Sequence, residues 1–171
     1  GNATDFGDIV SARRNLAAVA DATRGCFAGG YTSSNQNTIE YITVETASNT
    51  TDFGDLDESR RSLTGVADAT RGCFGGGGDP VLDVIDYITI ATTGDAADFG
   101  NLTIGRANSP APASSPTRGL WAGGYASGGD TNVIDYITIQ TLGNATDFGD
   151  ATNSSNTRSG CSDDTRACFA G

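Results

Sequence analysis

Apolar residues in this chain fall in short runs separated by Gly, Asn, Asp, Ser and Thr, and nowhere do they recur at helical spacing. Residues 16–20 are a run of small apolar side chains, and residues 24–28 are a second run across a tight turn at Asp21 and Ala22. Residues 38–46 form a longer β-branched run, and residues 52–55 a short one centred on Phe53. The pattern predicts four short strands in succession, the first two joined as a hairpin.

The succession then repeats. The phrase IEYITVETASNTTDFGD at 39–55 returns as IDYITIATTGDAADFGN at 85–101 and IDYITIQTLGNATDFGD at 134–150. TRGCFAGG at 23–30 returns as TRGCFGGG from Thr70, TRGLWAGG from Thr117 and TRACFAG from Thr165. The Asp of the DFG triplet stands at Asp5, Asp52, Asp98 and Asp147, at intervals of 47, 46 and 49 residues. Self-similarity of this kind marks supersecondary units that bury their faces by packing on their neighbours. It divides one repeat domain, 1–171, into units at 1–8 (partial), 9–55, 56–101, 102–150 and 151–171 (partial).

Within the third predicted strand, Ile85 and Tyr87 point to one side and Ile88 and Ile90 to the other, as expected of a strand covered on both faces. Residues 1–8, GNATDFGD, read as a closing strand with Phe6 as its buried anchor, and Phe6, Phe53, Phe99 and Phe148 share one structural repeat position. A proline-rich connection, Pro110, Pro112 and Pro116, precedes Trp121 in the third unit.

The unit read from Arg13 resembles a kelch repeat. It has an Arg near its start, small apolar residues in the first strand, and a double glycine at Gly29-Gly30, Gly75-Gly76 and Gly123-Gly124. An acidic-aromatic pair follows at Glu40-Tyr41, Asp86-Tyr87 and Asp135-Tyr136. The chain departs from that pattern in closing on Phe where kelch repeats usually carry Trp, and in a longer connection before it. The resemblance implies an all-β, kelch-like β-propeller of about three and a half four-stranded blades, part of a larger ring or repeat array. The wording IDYITI followed by GNATDFGD also resembles tandem repeats in tail-fibre and other structural proteins of bacteriophages of marine cyanobacteria. That likeness implies a virion or extracellular location and a structural or adhesive role. A purely structural virion-decorating or filament-forming protein and a bacterial surface repeat protein stand as alternatives.

Composition narrows the chemistry. The chain has no His, ten basic residues, all of them Arg, and twenty-one acidic residues, for a net charge of −11. Nucleic-acid binding is not expected, because the Arg residues are spread at the repeat period and never gathered into a phosphate-binding patch. Membrane insertion is not expected either, since no apolar stretch approaches a spanning length. Without His there is no His-dependent catalytic triad and no His metal ligand, and the chain reads as non-enzymatic. A chain that opens on Gly1 and contains no Met reads as a processed form or a window of something longer.

The recurring Arg24, Arg71, Arg118 and Arg166 suit either a ring of anion sites or an internal arginine-carboxylate ladder between units, and repetition in every unit favours the ladder. The pairs Asp5/Asp8, Asp52/Asp55 and Asp147/Asp150 are candidate calcium ligands, although the third copy ends in Asn101 and no calcium-loop pattern accompanies them. No cofactor is expected. Cys26, Cys73 and Cys168 share a position that Leu120 fills in the third unit, so they read as buried apolar residues. Cys161 lies across a predicted hairpin from Cys168 with a register uncertain by one residue, which leaves a disulfide open. Asn2, Asn49, Asn101, Asn144 and Asn153 stand in Asn-x-Ser/Thr sequences, which would be glycan sites in a secreted eukaryotic protein and in a phage or bacterial protein read more simply as turn residues.

Site-specific function is expected where the units differ, in the loops 31–37, 77–84 and 125–132 and the connections 9–14, 56–61 and 102–116. Tyr31, Asn35, Gln36, Asp79, Tyr125 and Asp130 are the candidate ligand-facing residues. The expected partners are neighbouring repeats or copies of the same protein, together with a host-surface glycan or protein.

Overall fold

A computed structural model describes residues 1–108 and 110–171. In the first unit β1 (Ala17–Ala20), β2 (Arg24–Ala28), β3 (Thr38–Thr43) and β4 (Thr51–Asp55) form an antiparallel sheet in chain order. The second repeats it with β5 (Thr64–Ala67), β6 (Arg71–Gly75), β7 (Val84–Thr89) and β8 (Ala97–Asn101). The third begins with β9 (Ala111–Ser114) and β10 (Arg118–Ala122) and then inserts a small ribbon, β11 (Tyr125–Ala126) with β12 (Gly129–Asp130). Its sheet is completed by β13 (Val133–Thr138) and β14 (Thr146–Asp150). A final hairpin pairs β15 (Ser159–Ser162) with β16 (Ala167–Ala170).

Local chemistry accounts for the repeated phrases. The Thr-Arg pair opens each second strand because the side chain before it closes the hairpin turn. Asp21 Oδ1 accepts from the N–H groups of Thr23 and Arg24 at 2.6 and 2.7 Å. Asp68 and Asp163 do the same for their own Thr-Arg pairs, and Ser115 Oγ takes that place in the third unit. The DFG phrase is a bulge. Ile39 pairs with Gly54 and Glu40 with Asp52, so Phe53 is the extra residue, and the same shift recurs at Ile85/Asp86 and Ile134/Asp135. Gly54 has φ 145°, and a Cβ there would run into the Gly94 carbonyl of the next unit.

The sheets pack in series, with first strands adjacent: β1 against β5, β5 against β9, β9 against β15. Val19 lies over Gly65 and Gly72, where a Cβ would come within 2.5 Å of it. Gly75 likewise leaves room for the buried Trp121, whose indole N–H donates to the Thr64 carbonyl at 3.3 Å. One core unites Cys26, Ile39 and Phe53 of the first sheet with Phe74, Ile88 and Ile90 of the second. The next unites Cys73, Ile85 and Phe99 with Trp121, Ile137 and Ile139. The third strand of the second unit is therefore covered on both faces, Ile85 with Tyr87 toward one core and Ile88 with Ile90 toward the other, whereas in the first unit Val44 is exposed. Serial four-stranded sheets of this kind are consistent with a propeller-like arrangement.

Three expectations are corrected. Residues 1–8 form no strand, and Phe6 is 39% exposed, because no third strand lies beside them to extend a sheet. Phe148 belongs to β14 but is 55% exposed, since no following strand covers it as Ile88 and Ile90 cover Phe53. Pro112 is not in a connection; it lies within β9, opposite Trp121. β9 is an edge strand, where a residue without an N–H is tolerated.

Candidate functional site

Two classes of arginine recur, one tying each unit internally and the other reaching the unit that follows. The first comprises Arg13, Arg60 and Arg106, each paired with the acidic residue of its own third strand: Arg13 with Glu40 at 3.0 Å, Arg60 with Asp86 at 3.1 Å, Arg106 with Asp135 at 2.6 Å. All three pairs are buried. The carboxylates also accept from the backbone N–H groups of Val10, Asp57 and Thr103, which pins the start of each connection. Burial pushes the Asp86 carboxyl above its usual value and the Arg60 guanidinium below its own, so both partners bear the desolvation cost. The first-strand connection of the last unit has Ser155 in this place. Its carbonyl accepts from Gly124 N–H as those of Arg60 and Arg106 accept from Gly30 and Gly77.

The second class corrects the expected arginine-carboxylate ladder. Arg24, Arg71 and Arg118 lie over Tyr41, Tyr87 and Tyr136 of their own sheets, at 4.6, 4.4 and 4.8 Å from the ring centroids. Arg24 then donates to the Ile90 carbonyl at 3.1 Å and Arg71 to the Ile139 carbonyl at 2.8 Å, each in the following unit. The acceptors are backbone carbonyls because the carboxylates are already engaged by the first class. Arg118 and Arg166 make no side-chain hydrogen bond among the described residues, and Arg166 has no ring beneath it.

Asn49 and Asn144 also do more than shape a turn. Asn49 Oδ1 accepts from Asp8 N–H at 2.9 Å and Asn144 Oδ1 from Asn101 N–H at 3.1 Å, with Asp95 doing the same for Asp55 at 3.0 Å. Each fixes the end of the preceding unit. The DxxD pairs sit at these solvated strand ends, and no group of three or more His, Cys, Asp or Glu side chains is placed to hold a metal among the described residues.

At the ends of the sheets the candidate loop residues gather into one cluster and one ribbon. Tyr31 is held between Arg14 and Arg61, whose guanidinium carbons lie 4.8 and 4.7 Å from its ring centroid. Arg61 forms an ion pair with Asp79 at 2.9 Å and donates to Asn35 Oδ1 at 3.4 Å, while Asn35 Nδ2 donates to the Asp79 carbonyl. Tyr31, Asn35 and Asp79 thus clasp the first unit to the second. Gln36 is used inside its own loop, donating to Thr32 Oγ1 and the Ser34 carbonyl. Tyr125 and Asp130 stand apart from this cluster, paired across the β11–β12 ribbon, with Tyr125 39% exposed. Sequence reasoning missed the ribbon because Gly128 and Gly129 at its turn read simply as loop.

A groove of about 620 Å³ runs between the third sheet and the last hairpin, lined by Arg118, Leu120, Ile134 and Phe148 on one side and Arg166 and Phe169 on the other. Cys161 faces Cys168 directly across that hairpin and both thiols are free and exposed, which corrects the expectation that Cys168 is buried like Cys26 and Cys73: among the described residues no third strand lies beside β16 to cover it. No helix of the described residues is long and apolar enough to cross a membrane. Compared with protein-family models and with curated proteins, the chain matches none.

Proposed function

We propose that this chain is a non-enzymatic structural repeat module, kelch-like and propeller-forming, of a phage tail fibre or similar extracellular appendage, and that it presents its β11–β12 ribbon to a host-surface glycan or protein. The observation that carries the reading is the division of labour between scaffold and loops. The locks made by Arg60 and Arg71 recur from unit to unit, whereas the ribbon with its exposed Tyr125 and Asp130 occurs in the third unit alone among the described residues. An exposed tyrosine beside a carboxylate offers a stacking surface and an acceptor for sugar hydroxyls. The absence of His removes the commonest general base, and the acidic surface disfavours phosphate-rich partners.

A purely structural role, in a virion-decorating or filament-forming protein, is favoured by one specific observation: Tyr31, the other loop tyrosine, is consumed in the Arg14–Tyr31–Arg61 clasp. The two readings part in a glycan-array and cell-adsorption assay of the wild type and of a Tyr125→Ala, Asp130→Ala double variant. Saturable binding that the double variant loses supports the adhesin. Adsorption that is absent, or unchanged in the variant, supports the spacer.

A further inference from the structure

We propose that Cys161 and Cys168 are a redox-responsive pair that closes to a disulfide across the last hairpin under oxidising conditions and reopens in excess thiol. The two residues face each other directly in the register of β15 with β16, so both side chains leave the same face of the hairpin. The same position pairs Val19 with Cys26, Val66 with Cys73 and Ala113 with Leu120, none of which has more than one thiol. Among these hairpins the last alone carries sulfur on both strands. It is also entered through Ser155, at the place where Arg60 and Arg106 lead into the second and third units and form their buried ion pairs. The hairpin that lacks the arginine lock is thus the one with a covalent tie at hand. Pairing of the cysteines rests on contacts inside this hairpin, whose turn Asp163 closes, and does not depend on what lies beside β16.

The ladder sets how the bridge forms. Asp163 N–H donates to the Arg166 carbonyl at 2.9 Å, and pairs alternate from there. Ser162 and Ala167 are therefore a non-hydrogen-bonded pair, and Cys161 and Cys168 a hydrogen-bonded one. Opposed Cα atoms at such a pair lie about 5.5 Å apart, within the span of about 4.4–6.8 Å that disulfides bridge. The Cβ atoms, about 5.5 Å apart, are further than the roughly 3.5–4.5 Å of a relaxed bridge, so closure draws the strands together and strains the bond. A strained disulfide is readily reduced, which makes the pair a switch and not a permanent staple. The oxidant is a low-molecular-weight disulfide. One cysteine thiolate attacks a sulfur of that reagent and expels the first reagent thiolate, leaving a mixed disulfide. The second cysteine thiolate attacks the cysteine sulfur of the mixed disulfide and expels the other. Two protein thiols become one disulfide, and the reagent takes the two electrons and both protons to leave as two thiols.

The test holds the full chain in mixtures of reduced and oxidised glutathione at about pH 8 and reads intact mass, with trypsin mapping the bond. Trypsin cuts after Arg158 and Arg166, so the bridge joins fragments 159–166 and 167–171. With oxidised glutathione in excess, the expected product is a single chain about 2 Da lighter than the reduced one, with those fragments linked. Reduced glutathione in excess is expected to reopen it without denaturant. Hydrogen exchange at residues 159–162 and 167–170 is expected to be about tenfold slower in the closed form. Cys168→Ser is expected to stop at a mixed disulfide on Cys161, which separates pairing from simple reactivity. The proposal is overturned if the wild type also stops at mixed disulfides, if the bond joins two chains, if it opens only in denaturant, or if exchange in the hairpin is unchanged.

Discussion

The guanidinium of Arg71 lies on the ring of Tyr87 in its own sheet and donates a 2.8 Å hydrogen bond to the carbonyl of Ile139, sixty-eight residues further along the chain. One side chain thus reads the position of two strands in different units. Arg24 repeats the contact with Ile90, and this cross-unit bond, together with the apolar cores, is what makes the sheets a series and not independent hairpins.

Arg71→Ala removes a charged hydrogen bond and a cation–π contact, so it is expected to cost about 2–4 kcal/mol. Arg118→Ala, which removes only the stacking on Tyr136, is expected to cost under about 1 kcal/mol. Urea unfolding of the two variants separates them; equal losses would mean that the bond to Ile139 contributes nothing.

Arg60 and Asp86 are both fully buried, and removing one partner strands the other. Arg60→Met is expected to destabilise by about 3–5 kcal/mol at neutral pH. Asp86, already raised by burial against the pull of Arg60, rises further in that variant, so it binds a proton when folded that it does not bind when unfolded. Part of the lost stability therefore returns as the pH is lowered from 7. A variant whose stability only falls over that range would contradict the assignment.

Phe53 and Phe148 occupy the same repeat position in opposite surroundings, 3% and 55% exposed. Phe53→Ala is expected to cost about 3–5 kcal/mol and Phe148→Ala under about 1 kcal/mol. Chemical denaturation of the pair tests whether the ring is core by position or by the strand that covers it.

For Asp21 and Asp68, burial works to raise the carboxyl, and accepted hydrogen bonds outweigh it. Thr23 and Arg24 donate to Asp21, and Gln140, Arg71 and Thr70 donate to Asp68, so both fall below the usual 3.8. A carboxyl with a lowered folded-state value contributes stability that is present above pH 3.8 and is lost as the pH falls through the folded value. Denaturant midpoints between pH 2 and 6 should therefore drop less steeply below about pH 4 in Asp68→Ala than in the wild type. Parallel curves would count against the turn bonds.

Burial pushes the Cys26 thiol up to about 11 and that of Cys73 up to about 12, while Cys161 and Cys168 are exposed. A thiol reagent at pH 8 should label Cys161 and Cys168 at once and Cys26 and Cys73 only on unfolding. Four thiols reacting together in the native protein would show that Cys26 and Cys73 are not core.

The sequence by itself determined the unit, its four strands and its turns, because those rest on contacts between residues close along the chain. Asp68 before Thr70-Arg71 closes a hairpin wherever it occurs, and the period-two pattern of Ile85, Tyr87, Ile88 and Ile90 already shows a strand covered on both faces. Only the tertiary structure decided which arginine meets which partner. Arg60 and Arg71 both lie near several acidic residues in sequence, but the bulge at Ile85/Asp86 sets Asp86 toward Arg60 and leaves Arg71 to a carbonyl of the next unit. Nor could the repeat pattern show that Phe6 and Phe148 are exposed or that Tyr31 is clasped between two arginines. Burial belongs to whatever strand lies alongside, and for these residues that strand comes from elsewhere in space or is missing from the groove.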